Sequence, residues 1–193
     1  MLDKYFYIYN IIYEIFQKLK IISMERKIDV DAVRYLINLI TNLPNNPAGD
    51  RKGGFFAVYE TSSKQMVVQK FGNPLLEKES QYLRNATEKV TRLVKTNEFR
   101  SFESRNEQLE HWGGGISYGG VVCAFSGFPE DLDEALSMTY AIHINTLHLK
   151  DNLRSDFFYD IPWHKGFVSL KKENPFFNTI AHAFNHGFSK KLD

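Results

Sequence analysis

The chain of 193 residues has one cysteine, six prolines and no excess of charge of either sign. Because the single thiol of Cys123 cannot form an internal disulfide, the core must hold the fold, and a reducing compartment is the simpler setting. The 24 basic residues are balanced by 23 acidic ones, and neither sign forms a long block. This balance gives no electrostatic basis for binding a nucleic acid. We therefore predict a cytoplasmic protein without a nucleic-acid partner.

The chain also lacks a long uninterrupted apolar run, even in its aromatic first segment. Asp3, Asn10 and Glu14 interrupt that segment, whereas a membrane-spanning helix needs about 20 consecutive apolar residues. No small-residue cleavage site follows, so a signal peptide is not indicated. We predict an amphipathic helix within residues 1–23 that packs on the domain or on a partner. The alternatives are a helix bound to a membrane surface, which is less favoured, and a native start at Met24.

Aromatic residues, in contrast, are abundant, with 16 Phe and 10 Tyr, and many lie near the two ends of the chain. The apolar fraction of 43% is typical of one globular domain with a substantial core. No repeat, low-complexity segment or clear linker divides the sequence. We predict a domain over residues 24–150, followed by an aromatic C-terminal extension over residues 151–193 that packs on the domain or on a partner.

The apolar periodicity predicts alternating helices and strands. Asp29 and Asn174 are predicted N-caps, and Asn73 followed by Pro74 predicts the start of a long helix. The core face of that helix is predicted to carry Leu76, Leu83, Ala86, Val90, Leu93 and Val94. In order, the predicted elements are a helix over 29–41, strands over 55–60 and 66–71, a helix over 74–97, strands over 99–105, 115–118 and 121–126, and helices over 129–147 and 175–187.

The most informative stretch covers residues 112–136. It contains a glycine turn, a short strand, a second glycine turn, an apolar strand and the proline-acidic start of a helix. The strand over residues 121–126 has no charge on either face, which predicts a central strand covered on both sides.

Within it, Gly114-Gly-Ile-Ser-Tyr-Gly-Gly-Val-Val-Cys-Ala-Phe-Ser-Gly-Phe-Pro-Glu-Asp-Leu-Asp-Glu-Ala135 resembles the pattern of the GlcG/HbpS-like family, and the order of elements is similar over roughly residues 28–148. The resemblance implies a profilin-like α+β domain with a mixed, largely antiparallel five-stranded sheet in the order α-β-β-α-β-β-β-α. It also implies a homo-oligomer, and haem as a candidate ligand, because some members are reported to bind or degrade haem.

We predict a ligand pocket between the turn at residues 112–118 and the helix that starts at Pro129. Its predicted residues combine aromatic walls, a glycine turn and polar side chains: His111, Trp112, Gly114, Tyr118, Ser126, Phe128, Glu130 and Asp131. An axial haem ligand requires a histidine beside an apolar slot, and His111 is the candidate. The alternative for His111 is a partly exposed loop histidine without a ligand.

No catalytic site is predicted from these residues. Ser126 lacks the flanking small residues of a nucleophile elbow and is interpreted as a hydroxyl that caps the next helix. The glycines at 113–115 and 119–120 are interpreted as tight turns rather than an anion cradle. The acidic residues at 130–134 are interpreted as favourable charges at a helix start rather than metal ligands or an acid–base pair.

Metal and thiol chemistry are not favoured either. His182 and His186 have the spacing at which two imidazoles share a metal, but they lie opposite the apolar side of their helix without an evident third ligand. His143 and His148 are predicted to lie at the surface. Cys123 is predicted to be inert packing in a buried strand.

Together these features favour a small-molecule-binding, self-associating domain with haem as the candidate ligand and no defined enzymatic activity. The alternative is a structural or interaction protein whose aromatic terminal segments join protomers. An enzyme acting on a small metabolite comes third, because no nucleophile–base pair can be assigned.

Overall fold

The structure is a computed structural model that describes residues 28–150 and 173–188. The predicted N-terminal helix and the aromatic stretch that precedes the last helix lie outside the described residues. In the described part, the elements are α1 Val30–Thr41, β1 Lys52–Glu60, β2 Gln65–Asn73, α2 Glu79–Thr96, β3 Gly115–Tyr118, β4 Val121–Ser126, α3 Glu130–Lys150 and α4 Phe177–Phe188.

The described strands form one four-stranded antiparallel sheet in the order β2-β1-β4-β3. The helices pack around this sheet, so the predicted α+β class is confirmed. β4 is an inner strand, and all six of its residues are buried. Val122 and Ala124 contribute to one core cluster, and Cys123 and Phe125 contribute to the other. This alternation confirms that β4 is covered on both faces.

The predicted strand over residues 99–105, and with it the five-stranded sheet, is wrong for the described residues. Arg100 forms only an isolated antiparallel bridge with Ile116. Ser101 N donates to the Gly115 carbonyl at 3.0 Å, and Ser117 N donates to that of Phe99 at 2.9 Å. The chain then turns away through bonds between backbone groups of residues 100–105. The buried Arg100 guanidinium makes a bidentate ion pair with Glu134, at 2.9 and 3.0 Å, which the strand pattern did not predict.

The two faces of the sheet carry cores of different character. α2 covers one face, where the buried cluster consists of Ala57, Ala86, Val90, Leu93, Val122 and Ala124. α1, α3 and α4 contribute to a larger cluster on the other face, in which the Phe56 and Tyr140 rings lie 4.7 Å apart. Each fully buried side chain of this size contributes about 1.5–3 kcal/mol. Small residues under α2 bring that helix close to the strands.

The start of α2 differs from the prediction. The helix begins at Glu79, after a 3-10 turn over Leu76–Lys78, rather than at Pro74. Leu76 is 82% exposed, and Leu83 and Val94 are also exposed. The buried face instead includes Tyr82 and Lys89, whose long side chains contribute apolar surface despite their polar ends.

The other predicted boundaries agree more closely. Asp29 caps α1 by accepting a bond from Ala32 N at 3.0 Å, and Asn174 Oδ1 accepts bonds from the amides of Phe176 and Phe177 before α4. Among the described helices, none combines the length and the apolar character that a membrane span requires.

Candidate ligand cleft

A cleft of about 590 Å³ lies between α2, the segment that precedes β3 and the start of α3. Of the eight predicted pocket residues, five line this cleft: Trp112, Ser126, Phe128, Glu130 and Asp131. Phe102 adds a further aromatic side chain, and Phe128 stacks on Phe125 with ring centroids 5.2 Å apart. The cleft therefore combines flat apolar walls with many charged groups.

The floor of the cleft holds a buried ion pair. Lys89 Nζ lies 3.1 Å from Asp133 Oδ2, and the two side chains are 1% and 3% exposed. Lys89 also donates to the Phe125 carbonyl oxygen at 2.9 Å, and Asp133 Oδ1 accepts from Phe128 N at 2.9 Å. Burial raises the pKa of Asp133 to about 7, although the nearby Lys89 ammonium opposes this rise. Asp133 therefore gains or loses a proton near neutral pH.

Tyr82 lines the same cleft from α2. The residue is 7% exposed, and its buried hydroxyl has no hydrogen-bond partner in the part of the chain that the structure describes. Burial raises the pKa of the phenol, and the nearby positive charge of Arg51 partly opposes that effect. A buried hydroxyl without a partner is unfavourable and calls for a bound water or ligand atom.

At the rim of the cleft, the Glu130 carboxylate accepts hydrogen bonds from two protein groups. Arg105 Nε donates to Glu130 Oε2 at 3.0 Å, and the Gly113 amide donates to the same oxygen at 2.7 Å. The Arg105 guanidinium also lies over the Trp112 ring, 5.6 Å from its centroid. Glu130 is therefore neutralised by protein groups and holds the glycine turn in place.

Arg51 and Lys78 complete the set of cations around the cleft. Neither side chain forms an ion pair with any residue in the two described ranges, in contrast to Lys89 and Arg105. Asp131 is the remaining acidic residue of the lining, and it is exposed. The positive charge of Arg51 also opposes the rise in the pKa of Asp133.

Three predicted pocket residues lie outside the lining. The His111 ring points to α2, with Nε2 3.6 Å from Glu88 Oε1. The Tyr118 ring packs on Phe99, with centroids 6.4 Å apart. Gly114 lies beside the ion pair and has φ +103°, so the predicted positive-φ turn is confirmed there.

The lining residues do not fit a histidine-ligated haem. They include no histidine, cysteine or methionine, and these are the usual axial ligands besides tyrosine. Elsewhere, His182 and His186 are exposed and their rings lie 4.3 Å apart. Over residues 28–150 and 173–188, no group of three or more histidine, cysteine or acidic residues is placed to hold a metal.

Two residues outside the lining, His143 and Cys123, have structural roles. The prediction that His143 lies at the surface is wrong: it is 7% exposed, and its Nε2 lies 3.0 Å from Asp29 Oδ2. Its ring packs in T-shaped contacts with two aromatic residues of α4, because the C-terminal helix covers this side of α3. Cys123 is buried, and burial raises the pKa of its thiol, in agreement with an inert residue.

Among the described residues, no amide of α3 donates to the Ser126 hydroxyl. Asp133 Oδ1 accepts from the Phe128 amide at 2.9 Å, which joins the first turn of α3 to the backbone that precedes it. The interpretation of Asp133 and Glu134 as helix-start charges also missed their burial and their pairing with Lys89 and Arg100.

Sequence reasoning missed Arg51, Lys78, Tyr82, Lys89 and Arg105. One signal was available for Lys89, which lies one turn from Ala86 and Leu93 on the apolar side of α2. No local pattern marked the others, because they come from separate parts of the chain.

Comparison of the chain with protein-family models, curated proteins and solved structures finds no match.

Proposed function

We propose that the protein is a small-molecule-binding domain whose ligand occupies the cleft between α2 and the start of α3. The volume of about 590 Å³ falls in the range of small-molecule sites, about 300–1,000 Å³. The aromatic walls of the cleft are usual for such sites, whereas its charged groups outnumber the few polar groups that such sites usually contain. The proposal includes no catalytic step.

The observation that carries this proposal is the buried hydroxyl of Tyr82. Leaving such a group without a partner costs about 1–3 kcal/mol, and a phenylalanine would fill the same space without that cost. A ligand atom that accepts a bond from the hydroxyl, or a water that links the two, removes the cost. The hydroxyl is buried, and it belongs to a residue that lines the cleft.

The test is ligand-observed NMR with the full chain and a fragment library that mixes anionic, neutral and cationic compounds. We expect fragments that bind the wild type and bind Tyr82→Phe more weakly. Tyr59→Phe is the matched control, because Tyr59 is half-buried and does not line the cleft. The proposal fails when no fragment binds, or when every bound fragment is indifferent to Tyr82→Phe.

The fold is also proposed to be a reduced form of the profilin-like, GlcG/HbpS-like arrangement. Two observations support this proposal. One is the strand order, and the other is the Arg100–Ile116 bridge, which lies where a fifth strand would continue the sheet beyond β3. Haem, self-association and a cytoplasmic location remain predictions of the sequence. A visible spectrum with haemin tests the first, and light scattering of the full chain tests the second.

A further inference from the structure

We infer that the cleft selects an organic anion, specifically an aromatic carboxylate whose acidic group lies near Arg51 and the Tyr82 hydroxyl. This inference rests on the proposed function and adds the chemical class of the ligand. It follows from the charges that the protein leaves uncompensated and from the position of the aromatic walls.

The residues that line the cleft carry more positive than negative charge. Asp133 is paired with Lys89 and Glu130 is paired with Arg105, so these four residues satisfy one another. Arg51 and Lys78 then remain without ion-pair partners in the described ranges. The exposed carboxylate of Asp131 offsets only one of these two positive charges. A ligand with a negative group compensates this excess, whereas a cation increases it.

Arg51 and Tyr82 supply hydrogen-bond donors in the lining of the cleft. A guanidinium supplies N–H donors only, in a planar arrangement that matches a carboxylate. The Tyr82 hydroxyl lacks a partner in the described residues and donates readily to an anionic oxygen. Arg51 and Tyr82 both line the cleft, so one ligand there can meet the cation and the phenol together.

The walls of the cleft are suited to an aromatic ligand. Phe102, Trp112 and Phe128 supply flat apolar surface along the cleft. The Trp112 ring is held by Arg105, and the Phe128 ring is held by its stacking on Phe125. Rigid aromatic walls favour a planar ring that stacks or meets them edge to face.

The experiment uses three probes of one shape on the full chain: 3-phenylpropionate, 3-phenylpropionamide and 3-phenylpropylamine. Titration calorimetry at pH 7 is expected to show the carboxylate binding about tenfold more tightly than the amide, and the amine binding most weakly. Arg51→Gln is expected to weaken the carboxylate about tenfold and to leave the amide unchanged.

Arg34→Gln is the matched control, because Arg34 is an exposed arginine outside the cleft. Thermal unfolding of both variants checks that they fold. Equal affinity for the carboxylate and the amide overturns the inference but leaves the proposed function intact, as does an Arg51→Gln variant that keeps the preference. If none of the three probes binds while other fragments occupy the cleft, the aromatic carboxylate is excluded. If no fragment binds at all, the proposed function itself fails.

Discussion

Lys89 and Asp133 form an ion pair beneath the cleft, with Nζ 3.1 Å from Oδ2 and both side chains almost completely buried. The pair joins α2 to α3 at the floor of the cleft. Buried charges that have each other as partners contribute little net stability, but removing one of them leaves the other uncompensated.

Lys89→Met is therefore expected to lower the free energy of unfolding by about 3–5 kcal/mol, whereas Lys89→Met combined with Asp133→Leu is expected to restore most of it. Urea denaturation measures both. Arg84→Met is the control, because Arg84 pairs with Glu110 at 2.7 Å but the two side chains are 60% and 57% exposed. Its expected cost is below about 1 kcal/mol. A double variant no more stable than Lys89→Met contradicts this account.

Anion binding should depend on pH through Asp133. The pKa of this carboxyl is raised from 3.8 to about 7, so a fall in pH through 7 neutralises it and leaves Lys89 with an uncompensated positive charge. The affinity for 3-phenylpropionate is therefore expected to increase from pH 8 to pH 6, while the affinity for the amide stays constant. Calorimetry across this range measures the effect, and Asp133→Asn should flatten it. An unchanged slope in that variant assigns the titration to another group.

Gly114 is expected to tolerate no side chain. An added Cβ would lie 2.6 Å from Asp133 Cβ and 2.9 Å from Lys89 Nζ, at a backbone φ of +103°. Gly114→Ala should cost about 3 kcal/mol through backbone strain and overpacking, and should weaken cleft binding. Gly49 has φ +62° and open space around its Cβ position, so Gly49→Ala should cost only about 1 kcal/mol. Equal losses in the two variants would show that the contact with the ion pair is unimportant.

Asp29 is expected to stabilise the protein at neutral pH and to lose this effect in acid. Its hydrogen bond with His143 is the main cause that lowers its pKa below 3.8. Stability from this group is thus present above pH 3.8 and decreases as the pH falls through the lowered value. Asp29→Asn keeps the helix cap and should cost about 1 kcal/mol at pH 7, with a smaller difference near pH 3. The control is Asp31→Asn, because Asp31 is 86% exposed and lies 3.8 Å from its partner Arg34. A pH-independent loss in Asp29→Asn would contradict the charge effect.

Periodicity and caps predicted most of the fold, because these signals are local. Asp29, Asn174 and the alternation along β4 specified their elements without long-range contacts. Two of the failures involve residues whose partners are distant in sequence. Arg100 was predicted to lie in a strand, but its side chain pairs with Glu134. Lys89 is buried, although a lysine is usually expected at the surface.

The candidate site was predictable only in part for the same reason. Trp112, Ser126 and Phe128 belong to the stretch that the glycine pattern marked, and they line the cleft. Arg51 directly precedes β1 and Tyr82 lies in α2, so their approach depends on how the helices pack on the sheet. No spacing in the sequence encodes that approach.

The order of strands has a consequence for how quickly the protein folds. β1 pairs with β2, and β3 pairs with β4, across short turns, whereas the β1–β4 contact joins Phe55 to Ser126. We therefore expect the two hairpins, which have a low loop-closure cost, to form early, and their union to be the slow, non-local step. The cleft takes residues from Arg51 to Asp133 and exists only after that union. A ligand bound there should slow unfolding and leave the folding rate nearly unchanged.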